Sequence, residues 1–128
     1  MSAKYTIKVV TDFAAAHVLH GYPGVCSQLH GHNWKIETQV VATRLDDIGM
    51  GVDFKVVKGE INKIIDRLDH RYLNEIPPFD SINPTAENIA AYMYAELAKA
   101  MNQDHIQVKS ITVWETERAC VTYSEDDE

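Results

Sequence analysis

The sequence has few cysteines and no long apolar run, and each shortage narrows the classes of protein to consider. Only 2 of the 128 residues are cysteine, so a disulfide framework is not indicated, and we expect Cys26 and Cys120 to stay reduced thiols. No window approaches the roughly 18 apolar residues that a membrane-spanning helix needs. Residues 1–8 lack the basic-then-apolar pattern of a signal peptide, so we expect a cytoplasmic protein that has no membrane partner.

Basic residues are also scarce, with 12 Lys and Arg against 19 Asp and Glu and a formal net charge of −7. This balance argues against a nucleic-acid partner, because binding phosphates along a nucleic acid needs a surface rich in Lys and Arg. The length favours one domain over residues 1–128 with its own core. Part of the negative charge lies in residues 124–128, which we expect to form a frayed, solvated tail.

The apolar periodicity predicts an α+β fold with the element order ββααββ. Apolar residues alternate at odd positions 5–17 and at even positions 34–42, which is typical of two strands, and we expect these strands to form an antiparallel pair. Helical spacing follows a cap at Asp53, and a second helix follows a cap at either Asn83 or Thr85. Alternation returns at residues 108–114 and 119–123, which predicts the last two strands.

Residues 26–32 read Cys-Ser-Gln-Leu-His-Gly-His and place a thiol and two imidazoles just before the second predicted strand. If that strand begins near His30, then His30 and His32 point to one face, and His17 ends the inward row of the neighbouring strand. Three histidines are a common zinc set that leaves one position open. The alternative is structural: a histidine at a strand end often only hydrogen-bonds, and His-Gly-His is a short pattern.

Other residues in the sequence are further functional candidates. Cys26 is either a fourth zinc ligand, a nucleophile or base beside the metal, or a small buried apolar residue. Asp69 and His70 form a carboxylate–imidazole pair suited to proton transfer, although His70 could simply end a helix. By strand alternation, Glu115 falls on the same face as the apolar residues that precede it, so a carboxylate ends a row of side chains that is otherwise apolar.

Five motifs in order resemble the 6-pyruvoyltetrahydropterin synthase family, and within it the 6-carboxytetrahydropterin synthases. The likeness runs from residue 5 to about residue 123. The motifs are Phe13-Ala14-Ala15-Ala16-His17, Cys26 with His30-Gly31-His32, Leu68-Asp69-His70, Pro84-Thr85-Ala86-Glu87-Asn88, and Trp114-Glu115-Thr116.

The resemblance implies a tunnelling fold, in which a four-stranded antiparallel sheet carries two helices on one face and subunits join their sheets into barrels. A homohexamer made of two trimers is expected, with sites at subunit interfaces. The implied roles are as follows: His17, His30 and His32 bind Zn²⁺; Cys26 is the catalytic base; Asp69 and His70 assist proton transfer; Glu115 anchors the pterin ring.

The substrate implied by the resemblance is 7,8-dihydroneopterin triphosphate. Within the family, the short spacer of three residues between Cys26 and His30 favours the carboxy-forming reaction of queuosine biosynthesis. The pyruvoyl-forming reaction, a non-catalytic zinc- or pterin-binding role and an aldolase-type relative are the alternatives. An acidic protein must gather basic side chains locally to hold a triphosphate. Lys35, Arg67 and Arg71 are the candidates, and the sequence does not rank them.

Overall fold

The computed structural model describes residues 3–21 and 28–126 of the chain. Within the described residues, five strands and two longer helices follow one another in the order ββαβαββ. They are β1 (Tyr5–His17), β2 (His30–Ala42), α1 (Phe54–Ile65), β3 (Arg71–Tyr72), α2 (Ala86–Met101), β4 (Ile106–Thr116) and β5 (Ala119–Ser124), and a 3-10 turn lies at Leu73–Glu75. The α+β class and the two long helices are therefore as the periodicity predicts. Among the described helices, none is long and apolar enough to cross a membrane.

The strands form one sheet in the order β3-β1-β2-β4-β5. The long strands pair antiparallel, and β3 pairs parallel with β1 through Ala15 and Ala16. The expectation of a four-stranded, purely antiparallel sheet is therefore wrong in one respect. After α1 the chain returns along the free edge of β1, where the backbone N–H of His70 donates to the Ala14 carbonyl at 2.6 Å. Two residues then suffice to add a fifth, parallel strand.

The core lies between the helices and one face of the sheet. Alternate residues of β1 and β2 point into it, including Phe13 and Trp34, whose rings stack at a centroid distance of 6.2 Å. Helix α1 packs on β1, while α2 packs on β4 and β5. Burial of this apolar face is the main force that holds the layers together.

Side-chain caps fix where both helices begin. The Asp53 carboxylate accepts from the Lys55 backbone N–H at 2.8 Å, as the sequence predicts. For α2, the Thr85 hydroxyl accepts from the Asn88 N–H at 3.1 Å, so Thr85 rather than Asn83 is the cap.

The acidic end of the chain is more ordered than expected over its first residues. Ser124 is the last residue of β5, and the Tyr123 hydroxyl donates to Glu125 Oε2 at 2.6 Å. Residues 127 and 128 lie outside the described part of the chain. The prediction of a frayed tail is therefore wrong for Ser124 and is not addressed for the last two residues.

Candidate metal centre and active site

Three histidines meet where β1 ends and β2 begins. In the antiparallel pair, His17 lies opposite His30 and Ala15 lies opposite His32, so all three imidazoles come from adjacent strand positions. Their ring centroids are 4.4, 5.2 and 4.9 Å apart. The prediction from strand alternation that these three histidine side chains lie close together is therefore confirmed.

Backbone carbonyls fix the orientation of two of these rings. His17 Nδ1 donates to the Pro84 carbonyl at 2.8 Å, and His30 Nδ1 donates to the Gln28 carbonyl at 2.7 Å. Because a carbonyl only accepts, each Nδ1 carries a proton, which leaves Nε2 as the ring nitrogen that can bind a metal ion. Such an outer hydrogen bond is the usual way in which a metal-binding histidine is oriented.

The Nε2 atoms converge on a carboxylate. His17 Nε2 and His32 Nε2 lie 3.4 and 3.5 Å from Glu115 Oε1, and donor atoms of His17, His30, His32 and Glu115 all lie within 4.8 Å of one another. Donors that share a tetrahedral ion with bonds of about 2.0–2.1 Å are separated by about 3.3–3.4 Å. The spacing of these side chains therefore fits one bound metal ion.

The burial of this cluster leads to the same conclusion. His17 is fully buried, and the Nε2 atoms of His17 and His32 are buried without a hydrogen-bond partner among the described residues. Burial lowers the pKa of both imidazoles below the ordinary value of 6.5. Neutral rings with unpartnered lone pairs are costly unless they bind something, and neutral imidazole is the form that ligates metals. The residues present therefore fit a metal site.

Asp69 and His70 lie at the edge of β1, beside Ala14. Asp69 Oδ1 accepts from the Ala14 backbone N–H and from His70 Nδ1, each at 3.0 Å. The hydrogen bond from Ala14 is the main reason that the pKa of Asp69 lies below its usual value. His70 has a φ of 58°, an uncommon value for a residue other than glycine, and its side chain is 81% exposed. It lines a cleft of about 490 Å³ together with His32.

Sequence and fold comparisons are consistent with this geometry. The family model described as 6-pyruvoyl tetrahydropterin synthase matches residues 6–126. The chain belongs to the 6-pyruvoyl tetrahydropterin synthase family. It is a lyase of that family, and its described sheet and helices match those of the family's solved structures.

Individual members of the family differ in the activity that their names state. The chain is 39% identical over 94 residues to a 6-carboxy-5,6,7,8-tetrahydropterin synthase from Synechocystis, covering 70% of this chain and 71% of that one. It is 30% identical over 128 residues to the Rickettsia typhi protein of the same name, covering 86% and 93%. The 6-pyruvoyl tetrahydropterin synthase structure from Caenorhabditis elegans superposes with a TM-score of 0.84 at 28% identity, covering 98% of each chain.

Glu115 faces a second cleft in this member of the 6-pyruvoyl tetrahydropterin synthase family. Trp114 pairs with Cys120 and Thr116 pairs with Ala119, so Glu115 is the extra residue of a β-bulge. Bulges commonly redirect a side chain next to an active site. The cleft measures about 400 Å³, and its lining includes Thr85, Glu87, Glu115 and Cys120.

Cys26 lies outside the described residues, so its role as catalytic base stays a prediction.

The three basic residues that are candidates for holding a triphosphate differ in their surroundings. Lys35 Nζ lies 3.6 Å from a Glu37 oxygen and 5.3 Å from the Trp114 ring centroid, while Arg67 donates to Glu96 at 2.7 Å. Arg71 lines the cleft that contains His32 and forms no ion pair within the described residues.

Sequence reasoning missed the groups that hold the chain just after His17. The Asn74 amide forms two hydrogen bonds of 2.9 Å with the backbone N–H and carbonyl of Val18. The Asn83 amide does the same with His20, at 2.9 and 2.8 Å. These side chains extend the strand pairing beyond β3. The only sequence signal was the turn chemistry of the Asn83-Pro84 dipeptide, which gives no indication of its partner.

Proposed function

We propose that the chain converts 7,8-dihydroneopterin triphosphate and one water molecule to 6-carboxy-5,6,7,8-tetrahydropterin, acetaldehyde and triphosphate, as a zinc-dependent step of queuosine biosynthesis. The observation that carries this proposal is the convergence of three imidazoles, two with unpartnered Nε2 atoms, in a chain of this family. The names of the Synechocystis and Rickettsia typhi relatives support the carboxy-forming reaction.

His17, His30 and His32 are the proposed zinc ligands, because donor atoms of the three rings converge and two of the rings are fixed through Nδ1. Bound there, zinc would supply Lewis acidity toward the side-chain hydroxyls of the pterin. Three imidazoles leave one position of a tetrahedral site for substrate, as catalytic zinc sites usually do. Zinc itself is proposed from the donor set and the family.

Glu115 is the proposed anchor of the pterin ring. An aminopyrimidine edge offers two adjacent N–H donors, and a carboxylate accepts both in charge-assisted hydrogen bonds. Glu115 is partly exposed and opens onto the cleft that Thr85 and Glu87 also line. A ring held there would place its side chain toward the imidazoles, since Glu115 Oε1 lies 3.4 Å from His17 Nε2.

Proton transfer is assigned to Cys26 and His70. The Cys26 thiolate would remove a proton from the substrate side chain, in keeping with the role that the family resemblance implies. Asp69 accepts from His70 Nδ1, so His70 Nε2 is free to exchange a proton with the substrate. The ring is reduced at the expense of the side chain, so no redox cofactor is required.

The pyruvoyl-forming reaction is the second candidate, and the TM-score of 0.84 with the Caenorhabditis elegans enzyme favours it. Mass spectrometry of the zinc-loaded protein with 7,8-dihydroneopterin triphosphate separates the two. We expect the carboxy product together with acetaldehyde. Pyruvoyl product without acetaldehyde would refute the carboxy-forming assignment, and bound pterin without turnover would indicate a non-catalytic member.

The assembly is part of the same proposal. The resemblance implies a homohexamer of two trimers with sites at subunit interfaces, and symmetric assembly would close the free edges of the sheet. Light scattering coupled to size-exclusion chromatography tests it through the molar mass. A monomer of 14.5 kDa that remains active would contradict sites shared between subunits.

A further inference from the structure

The first turn of α2 holds the stretch of chain that orients His17. Asn88, the third residue of this helix, donates twice to the residues before it: its backbone N–H to the Thr85 hydroxyl at 3.1 Å, and its side-chain amide to the Asn83 carbonyl at 2.8 Å. Pro84, whose carbonyl accepts from His17 Nδ1, lies between these two anchors. One residue therefore fastens the chain on both sides of the carbonyl that contacts a candidate zinc ligand.

Little conformational freedom remains between the two anchors. The peptide bond before Pro84 is planar, and the proline ring holds φ at about −65°. Only ψ of Pro84 is then a soft rotation between the Asn83 carbonyl and the Pro84 carbonyl, and Thr85 is held as the helix cap. The hydrogen bond from the Asn88 amide therefore limits how far the Pro84 carbonyl can turn.

Two acceptors compete for the proton of the His17 ring. On one side the Pro84 carbonyl accepts from Nδ1 at 2.8 Å, and on the other side Glu115 Oε1 lies 3.4 Å from Nε2. A neutral imidazole carries one proton, so a proton on Nε2 would pair with Glu115 and leave no lone pair there for a metal ion. A well-placed Pro84 carbonyl therefore favours the tautomer that presents Nε2 of this buried ring as a ligand.

We infer that Asn88 is a positioning residue for the metal centre: through Asn83 and Pro84 it keeps the His17 proton on Nδ1 and so presents Nε2 to the metal. The inference rests on the proposed function, because it takes the imidazole cluster to bind zinc. The position of the proton, however, is a property of the metal-free protein. If Asn88 only stabilised the start of α2, its loss would lower stability and leave the tautomer unchanged.

Nitrogen NMR of the histidine rings in metal-free protein tests the inference at about pH 8, where His17 is neutral because burial holds its pKa below 6.5. Asn88→Ala is expected to lower the ratio of the Nδ1–H to the Nε2–H tautomer of His17 by about three- to tenfold, since one hydrogen bond is lost. Asn88→Asp keeps the size of the side chain, suits the first turn of a helix and lacks the amide donor. It should therefore give the same shift with the helix intact.

Asn102→Ala is the matched control at the other end of α2. The Asn102 side chain accepts from the Val108 backbone N–H at 2.8 Å, so this variant also removes one partly buried hydrogen bond. Asn102 lies about 21 Å along the helix from Asn88, at about 1.5 Å per residue. We expect Asn102→Ala to destabilise the protein about as much as Asn88→Ala and to leave the His17 tautomer unchanged.

Competition with a chromogenic chelator adds the zinc affinity. Asn88→Ala is expected to lower it by about three- to tenfold, less than the roughly 10–100-fold loss that is typical when the lost group touches the ligand itself. Asn102→Ala should lower it less than about twofold.

The inference is overturned if wild-type His17 carries its proton on Nε2, if both Asn88 variants keep the wild-type tautomer ratio, or if Asn88→Ala binds zinc as tightly as wild type. It is equally overturned if Asn102→Ala changes the tautomer ratio and the zinc affinity as much as Asn88→Ala does. A tautomer that depends on Asn88, in a wild-type protein that binds no zinc, would refute the proposed function alone.

Discussion

Glu115→Gln is the substitution that best separates two roles for one carboxylate. The distances of 3.4 and 3.5 Å from Glu115 Oε1 to two imidazoles allow it to share a metal ion with them. The cleft that it faces, lined also by Thr85 and Glu87, allows it to hold the pterin ring instead. Glutamine keeps the size of the side chain and removes both its charge and one acceptor oxygen.

The two roles predict different magnitudes. As an anchor, Glu115 would accept two charge-assisted hydrogen bonds of about 1.5–3 kcal/mol each. Glutamine can still accept one of them, so we expect a loss of about 2 kcal/mol, which is about 30-fold in pterin affinity. The three imidazoles are unchanged in the variant, so its zinc affinity should fall less than about tenfold.

Two assays on the same variant decide between these roles. Competition with a chromogenic chelator gives the zinc affinity, and titration with 7,8-dihydroneopterin gives the pterin affinity. His32→Ala is the reference for a lost ligand. If Glu115→Gln loses as much zinc affinity as His32→Ala while it binds pterin normally, then Glu115 is a ligand and the anchor assignment is refuted.

Three further predictions concern the metal-free protein, the chain after His17 and the thiol. Burial holds the pKa of His17 and His32 below 6.5, so the unfolded state binds more protons than the folded state below that pH. Thermal unfolding of metal-free protein should therefore show a constant contribution of these groups to stability above about pH 6.5 and a loss of stability below it. An unchanged unfolding midpoint at pH 5.5 would contradict this prediction. Asn74→Ala should lower the free energy of unfolding by about 1–3 kcal/mol in urea titrations, because two backbone groups lose their partner, whereas Asn62→Ala, which removes no described side-chain hydrogen bond, should change it by less than about 0.5 kcal/mol. Cys26→Ala should abolish turnover and keep zinc by mass spectrometry of the native protein, and loss of the metal would make Cys26 a ligand.

The convergence of the three histidines could be predicted from the sequence because strand parity is a local rule. Alternation assigns a face to every residue of β1 and β2, so His17, His30 and His32 fall on the covered face before any pairing is known. The register then needs only the two strands to pair as neighbours, which adjacent strands in a chain usually do. Both helices and the Asp53 cap follow from equally local signals, whereas the sequence left the second cap open between Asn83 and Thr85.

The fifth strand and the Glu115 bulge could not be predicted, because each depends on partners distant in the chain. Two residues, Arg71 and Tyr72, are too few to show any alternation, and they become a strand only because the edge of β1 is free beside them. The bulge follows from how β4 and β5 align around their turn. Neither feature leaves a periodic pattern in the residues concerned.

The connection between α1 and α2 therefore does more than join two helices. It begins with Asp69 bound to the Ala14 N–H, continues as β3, and ends where the Pro84 carbonyl accepts from His17 Nδ1. A single stretch of chain thus positions the Asp69–His70 pair, carries Arg71 and fixes the tautomer of one candidate zinc ligand. Because these contacts all follow the edge of β1, a substitution that loosens Asn74 is expected to affect the candidate metal centre and the Asp69–His70 pair together, although Asn74 belongs to neither.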